Sequence, residues 1–298
     1  MPTLRDIKQR IVSVQSTRQI TRTMEMVATA KIRRAQDRIE SARPYAFSLT
    51  DVLGNVVHYA QKLDHPLLEA HEERKRVVYI AATSDRGLAG AFNTNIIRMA
   101  DRALHDEEAA GVEVDLITVG KKAQTYFRYR GVEPVLAIRD VSDKPDFSHA
   151  RQIADWLSER YTAGEIDGAY ILFNRFKNVA EQKPEQHQLL PIEPEALRRA
   201  EASVEERGLN LEYLFEPSAA DLLSELLPYY LEALVYRGLL ESAASEQGAR
   251  RTAMKSATDN ASEMINTLTR SYNRARQAAI TTEIAEIVGG AAAQEDQG

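Results

Sequence analysis

The chain has 298 residues, of which 44% are hydrophobic and 28% are charged, and it contains no cysteine. This composition is typical of a folded globular protein, and the lack of cysteine excludes disulfides, thiolate nucleophiles and cysteine-based zinc sites. No apolar run approaches the roughly 20 residues that a membrane-spanning helix needs. The first residues also lack the apolar core of a secretory signal, so we expect no leader peptide.

The formal net charge of −6 is unevenly distributed. Residues 1–60 have an excess of five positive charges and residues 250–276 an excess of four, so the rest of the chain is strongly acidic. Basic ends on an acidic protein predict an acidic partner at those ends, unless they are simply solvated helix faces.

Residues 1–63 are predicted to form the first segment, with one long helix from Leu4 to Leu63. Apolar residues recur there in alternating steps of three and four, which is the pattern of a coiled-coil seam. The predicted seam residues are Leu4, Ile7, Ile11, Val14, Ile32, Ala35, Ile39, Ala42, Ala46, Leu49, Leu53, Val56, Ala60 and Leu63. Ile20, Met24 and Val27 lie on a neighbouring face. Arg18, Thr21 and Glu25 interrupt the seam. We expect groups from outside the helix pair to satisfy these polar side chains; the alternative is that they pair with each other across the coil. Pro44 predicts a local kink.

The second segment, residues 74–200, has a different period and is predicted to be an α/β domain. Short β-branched runs predict strands at Val77–Ala82, Val114–Val119 and Ala169–Phe173, and amphipathic stretches predict helices near Thr94–Glu108, Lys121–Arg130 and Phe147–Ala163. Strands that alternate with helices predict a mainly parallel, Rossmann-like sheet. A further alternating run, Val179 to Leu190, predicts an antiparallel edge strand.

The third segment, residues 213–290, is predicted to contain a second long helix from about Ala219 to Val288. Its apolar stripe is rich in alanine, which allows two helices to approach closely. Pro228 lies inside it, so we expect the first turns to form a separate short helix. Residues 291–298 are predicted to be a disordered tail.

These segments together predict a fold of the α/β class with a long antiparallel coiled coil. The N- and C-terminal helices pair, and the α/β domain is inserted between them. Neither helix has a partner nearby in the sequence, so the pairing must be long-range.

The strongest candidate for chemistry is the stretch Ser84–Asn93, directly after the first predicted strand. Glycines at a strand-to-helix turn can bind phosphate at a helix N-terminus. Gly87 and Gly90 do not complete a G-x-G-x-x-G motif, however, and no G-K-[ST] follows, so we interpret the stretch as a tight turn.

Other chemistry has little support in the sequence. The six histidines show no metal-binding spacing, and there is no G-x-S-x-G nucleophile elbow. No aromatic residues interleave with the basic residues of 1–40, as nucleic-acid binding would require. We therefore predict no catalytic residue, no metal, no cofactor and no nucleic-acid partner.

Two long stretches, Ile20–Ile32 and Glu241–Ala292, resemble the gamma subunits of F-type ATP synthases of the bacterial type. The Ser84–Asn93 turn and Tyr213–Pro217 match the same family, and the resemblance extends over nearly the whole chain. Ala89 stands where many relatives have cysteine. The cysteine-bearing insertion of chloroplast relatives is absent too, which excludes thiol switching.

The resemblance implies a non-catalytic central-stalk rotor subunit, peripheral to the cytoplasmic face of the bacterial inner membrane. Its implied partners are three alpha and three beta subunits, the epsilon subunit and the membrane c ring, with no insertion into the membrane. Proton flow would turn the c ring and the stalk, and the asymmetric stalk would drive the beta subunits through binding, synthesis and release of ATP.

The resemblance also implies two contact regions. Contacts to the alpha/beta ring are predicted at Met24, Glu246, Arg250, Arg276, Gln277, Thr281, Ile284 and Ile287. Contacts to the c ring and epsilon are predicted at Tyr213, Phe215 and Glu216.

Two alternatives from other classes stay open at this point. One is a nucleotide-binding or enzymatic α/β domain carried on a coiled coil, which ordered phosphate at Gly87–Gly90 would favour. The other is a scaffold or nucleic-acid-binding coil, which steeply salt-dependent binding to DNA would favour.

Overall fold

A computed structural model of the chain describes residues 3–59, 65–193, 197 and 218–295. The first helix, α1, extends over Leu4–Tyr59, and the last helix, here α5, extends over Ala219–Glu295. Between them lie, in chain order, a short 3-10 helix Pro66–Leu68, β1 Arg76–Ala82, α2 Phe92–Ala109, β2 Glu113–Val119, α3 Lys121–Tyr129, β3 Leu136–Ile138, α4 Phe147–Thr162, β4 Gly168–Phe176 and β5 Gln182–Leu190.

The five strands form one sheet in the order β3-β2-β1-β4-β5. The pairs β1–β2, β1–β4 and β2–β3 are parallel, and β4–β5 is antiparallel. The predicted parallel sheet and its antiparallel edge strand are therefore confirmed. The sequence analysis missed β3, because a strand of three residues is too short to show a period of two.

Helices cover both faces of the sheet because successive strand residues point to opposite sides. Val77, Tyr79 and Ala81 of β1 pack against α2 and α3. Val78 and Ile80 face the other way, into a larger core built from α4, the end of α1 and the beginning of α5. The α/β domain and the two long helices thus share one hydrophobic core.

The seam of α1 follows the predicted frame. Ala28, Ile32, Ala35, Leu49, Leu53 and Val56 are buried, and Leu4, Ile11, Val14, Ile39, Ala42 and Ala46 are half-buried. Ile20 and Val27, on the neighbouring face, are exposed to 60% and 50%. The predicted seam residues 60 and 63 lie outside the described residues.

The chain divides into two compact units, one formed by residues 1–27 with 251–298 and the other by residues 28–250. In the second unit the C-terminal end of α1 packs with the first turns of α5. In the first unit the N-terminal part of α1 pairs with the C-terminal part of α5, and Thr21 Oγ1 lies 2.7 Å from Thr258 Oγ1. The long helices therefore run antiparallel, as predicted.

Helix α5 differs from the prediction at both ends. It continues through Pro228 without a break, because packing of Leu223, Leu227 and Leu231 into the core holds these turns in place. It also continues to Glu295, beyond the predicted end at Val288, since alanines 291–293 are strong helix formers. Residues 296–298 of the predicted tail lie outside the described residues.

Candidate functional site

Ligands of open α/β sheets usually bind at the carboxyl ends of the strands, where the strand order reverses. Here the chain moves outward from β1 through β2 to β3 and then returns to the other side of β1 with β4. The crevice at the carboxyl ends of β1 and β4, here called the switch-point crevice, is therefore the first place to search for a ligand site.

Helix α5 fills the switch-point crevice. Ser245 Oγ donates a hydrogen bond to the carbonyl of Asn174 at 2.7 Å, and Ser242 Oγ lies 3.5 Å from the carbonyl of Ala82. Gly238 packs so closely that a Cβ at this position would lie 2.7 Å from Ile171 Cδ1. Ser242 and Ser245 thus pack at the carboxyl ends of β1 and β4, and Gly238 packs against the middle of β4.

The Ser84–Asn93 stretch is a turn closed by its own side chains. Asn93 Oδ1 accepts hydrogen bonds from Ser84 N at 2.9 Å and Ser84 Oγ at 3.0 Å. At its tip, Leu88 adopts a φ of 63° and is 62% exposed. The turn presents an apolar side chain to solvent, and the interpretation as a tight turn fits this geometry.

The Asp85 carboxylate organises the neighbouring loop at the carboxyl end of the sheet. Its two oxygens accept hydrogen bonds from the amides of Lys121, Asp140 and Ser142, each at 3.0 Å. Burial by itself raises the pKa of Asp85, but these hydrogen bonds outweigh it and hold the pKa below its ordinary value.

Glu246 and Arg250 form an ion pair inside the protein. Arg250 Nη2 donates to Glu246 Oε1 at 2.6 Å and to the carbonyl of Gly87 at 3.3 Å. Burial raises the pKa of Glu246, against the attraction of Arg250. Glu246 is 2% exposed and Arg250 8%, so within this chain their charges satisfy each other, and their role as contacts to the alpha/beta ring stays a prediction.

Thr21 was expected to have a polar partner from outside the helix pair, but its partner lies within the pair. It is 8% exposed, and its hydroxyl pairs with that of Thr258 across the coil. For this residue the alternative, pairing across the coil, is the arrangement that the structure has. Met24 and Glu25, one turn further along α1, are half-buried, and Arg18 is exposed.

The remaining predicted ring contacts are on the surface of the last turns of α5. Arg276, Gln277, Thr281, Ile284 and Ile287 are all exposed. Ile280, Ile284, Ile287 and Val288 form an apolar stripe along this part of the helix, each at least 46% exposed. Their role as contacts stays a prediction. Tyr213, Phe215 and Glu216 lie outside the described residues.

Within the described part of the chain, no group of three or more acidic or histidine side chains is arranged to hold a metal ion. Two of the histidines have structural partners. His71 Nδ1 lies 2.8 Å from an oxygen of Asp167, and His149 completes the capping box of α4.

Sequence reasoning missed Asp143 and Gln247. Gln247 Nε2 donates to Asp143 Oδ1 at 2.9 Å across 104 residues of sequence. Asp143 is one charged residue in a polar loop, and no local pattern distinguishes it from its neighbours.

Comparison with known proteins gives a consistent match over the whole chain. A family model described as ATP synthase matches residues 3–294. The ATP synthase gamma chain of Pelotomaculum thermopropionicum is 49% identical over 295 residues, which are 99% of this chain and 100% of that one. The gamma chain of Chlorobaculum tepidum is 47% identical over 294 residues, 98% of each chain.

Solved structures match as well. A chain from the central stalk and c ring of the Tetrahymena thermophila mitochondrial ATP synthase is 27% identical, with a TM-score of 0.58, and the match covers 80% of this chain and 99% of that one. A rotor chain of the Euglena gracilis mitochondrial ATP synthase has a TM-score of 0.61 at 21% identity, covering 93% and 98%, and shows a shared fold.

Proposed function

Since the chain belongs to the family of ATP synthase gamma chains, we propose that it is the central-stalk rotor subunit of a bacterial F-type ATP synthase. The observation that carries the proposal is the match over residues 3–294, which includes both long helices and the α/β domain. A match confined to the α/β domain would support a nucleotide-binding protein as well as it supports a rotor subunit.

The rotor couples ion flow to ATP synthesis without making or breaking bonds itself. The c ring turns the stalk, and the stalk presents a different side to each beta subunit in turn. Coupling of this kind requires contacts that differ between alternative states of the partner. On this chain both kinds of contact lie at the exposed end of α5. Arg276 and Gln277 supply polar contacts, and the apolar stripe beside them can turn against a partner because apolar contacts are not directional.

The chain itself has no catalytic activity and no cofactor under this proposal. The packing of α5 supports this, because Ser242 and Ser245 contact the carboxyl ends of β1 and β4, where a ligand of such a sheet would usually bind. The same observation argues against the alternative of a nucleotide-binding α/β domain.

The partners are the alpha and beta subunits, epsilon and the c ring, and the location is the cytoplasmic face of the inner membrane. None of the helices in the described ranges is both long and apolar enough to cross a bilayer.

Co-expression with the other subunits tests the proposal. We expect the chain to co-purify with three alpha and three beta subunits and to rotate during ATP hydrolysis when a bead is attached to it. The matched control is a chain lacking residues 276–298, in which rotation should become weaker although the α/β domain is intact. A full chain that leaves the alpha and beta subunits unbound would contradict the proposed function.

A further inference from the structure

One carboxylate joins the two long helices to the α/β domain. Asp143 lies in residues 140–143, here called the latch loop, between β3 and α4. Lys31 of α1 forms an ion pair with Asp143 Oδ2, and Gln247 of α5 donates a hydrogen bond to Asp143 Oδ1 at 2.9 Å. The two oxygens of a single side chain thus contact α1 and α5.

The latch loop is itself fixed to the sheet. Asp85, at the end of β1, accepts hydrogen bonds from Asp140 N and Ser142 N at 3.0 Å, and Asp85 N donates to Ser142 Oγ at 3.0 Å. Asp140 adopts a left-handed φ of 59°, a conformation that costs a non-glycine residue free energy and that these hydrogen bonds help to hold. Asp143 is therefore presented from a defined position on the sheet.

The α5 side of this contact is equally constrained. Gln247 is 3% exposed, and on the same turn Arg250 reaches the carbonyl of Gly87 in the other loop at this edge of the sheet. Polar contacts with defined directions therefore hold this turn of α5 against both loops.

Further along α1, Leu49, Leu53, Val56 and Val57 contact the core of the α/β domain through apolar side chains. Apolar burial is non-directional, so it opposes separation of the helix from the core more than rotation of the helix about its own axis. A carboxylate that binds a named atom on each helix opposes such rotation.

From this geometry we infer that Asp143 is a positioning residue, which fixes the rotation of α1 and α5 against the α/β domain where both helices leave the unit of residues 28–250. The role in coupling rests on the proposed function. A subunit that transmits torque needs such a connection, because any free rotation of a helix would absorb part of each step.

The contact is suited to orientation more than to stability. The Lys31 and Asp143 side chains are 32% and 50% exposed, and an ion pair of this exposure changes an equilibrium by about two- to five-fold at most. We therefore expect removal of Asp143 to leave the melting temperature nearly unchanged while it loosens the helices.

The lack of native cysteine allows nitroxide labels to be placed on the full chain without background labelling. Cysteines replacing Ser41 of α1 and Arg102 of α2, both exposed, report the position of α1 relative to the sheet. We expect Asp143→Ala to broaden the distance distribution between the two labels.

A charge-reversed pair provides the rescue. Lys31→Glu combined with Asp143→Lys restores the ion pair, and Gln247 Oε1, which has no hydrogen-bond partner within the described residues, is available to accept from the new lysine. In this double variant the width of the distance distribution should return to that of the wild type. The matched control is Glu133→Ala, which removes a surface ion pair with Arg128 inside the α/β domain and should leave the width unchanged.

The assembled complex gives the functional readout. We expect Asp143→Ala to lower the ratio of protons pumped to ATP hydrolysed and the charge-reversed pair to restore it, while Glu133→Ala has no effect. An unchanged distance distribution in Asp143→Ala would overturn the inference, and so would a broadened distribution with normal coupling.

The distance measurement uses this chain alone, so its result does not depend on the proposed function. A wild-type chain that does not assemble with alpha and beta subunits would contradict the proposed function. It would also contradict the role of Asp143 in coupling, which rests on that function.

Discussion

Gly120 occupies the tightest backbone position at the carboxyl end of the sheet. It connects β2 to α3 with a φ of +88°, and a Cβ there would lie 2.2 Å from the carbonyl oxygen of Thr83. Its amide donates to the carbonyl of Ile138 at 2.8 Å, so the backbone cannot move away without losing that bond.

We expect Gly120→Ala to destabilise the protein by more than about 3 kcal/mol, because it adds a clash with backbone atoms to the strain of a positive φ. Gly111→Ala is the matched control: its φ is +77°, but nothing lies within 4 Å of the added carbon, so the cost should be the strain of about 1–2 kcal/mol alone. Urea unfolding of the two variants measures the difference. Equal losses would contradict this account of Gly120.

Asp85 links stability to pH. Its pKa in the folded protein is lowered, so its contribution is present above the pKa of the unfolded chain and is lost as the pH falls through the lower folded value. The relevant pH window therefore lies below the ordinary pKa of an aspartate carboxyl group.

We expect Asp85→Asn to be less stable than the wild type at pH 7, by about 1–3 kcal/mol, because the amide replaces one of the accepting oxygens. The difference should shrink as the pH falls through that window, because the wild-type carboxyl then becomes protonated. Denaturant melts from pH 7 down to the lowest pH at which the protein stays folded measure this, with Glu108→Gln, an exposed acidic residue on α2, as the control. A difference that stays constant with pH would show that the charge of Asp85 is not involved.

At the scale of elements, the last turns of α1 attach that helix to the α/β domain. Leu49, Leu53, Val56 and Val57 are buried in the core shared with α4 and α5, whereas Val52, adjacent to Leu53, is 43% exposed. Only one face of this part of α1 packs against the core. A substitution on that face should therefore lower the free energy of unfolding more than a substitution on the exposed face.

We expect Leu53→Ala to cost about 2–5 kcal/mol, the usual range for a leucine removed from a packed core. Val52→Ala, one residue earlier, should change stability by no more than about 0.5 kcal/mol. Thermal melts of both variants give the comparison. Similar losses for the two residues would mean that α1 does not pack on the core as described.

A second element, α5, has two roles along its length. Its first half fills the switch-point crevice, where Ser245 bonds the carbonyl of Asn174, and its last turns expose an apolar stripe. One continuous helix thus packs against the sheet along its first half and has an exposed apolar surface near its end.

We expect the full chain to show no saturable binding of ATP or NAD at sub-millimolar concentration, because α5 occupies the space. Isothermal titration calorimetry tests this directly. The control is the isolated alpha/beta ring, which should bind ATP in the same buffer. Saturable binding by this chain would favour the nucleotide-binding alternative.

For the whole molecule, exposure separates residues that hold this chain together from those free to contact others. Glu246 and Arg250 are buried and paired, whereas Arg276 and Gln277 are exposed. Residues of the second kind should affect the assembled complex and leave the isolated chain unaffected.

We expect Arg276→Ala and Gln277→Ala to change the stability of the isolated chain by no more than about 0.5 kcal/mol. In the assembled complex each should slow ATP turnover by about five-fold or more, because a contact that differs between partner states is lost. Arg102→Ala, an exposed arginine of α2, is the control and should leave turnover unchanged. Variants that melt lower yet turn over normally would show that these residues only stabilise the coil.

The sequence by itself determined the elements and the family. Apolar residues in steps of three and four predicted α1 and α5, and β-branched runs predicted β1, β2 and β4, because these patterns reflect which face of each element is buried. The long matching stretches Ile20–Ile32 and Glu241–Ala292 carried the resemblance to gamma subunits.

The tertiary structure alone decided which polar residues face inward. Arg250 reaches Gly87 across 163 residues, and Lys31 reaches Asp143 across 112. No local period encodes such pairs, because each depends on how α1 and α5 dock against the loops of the sheet. For the same reason Asp143 could not be found from the sequence, and partners from outside were expected for Thr21, whose partner lies 237 residues away in the same chain.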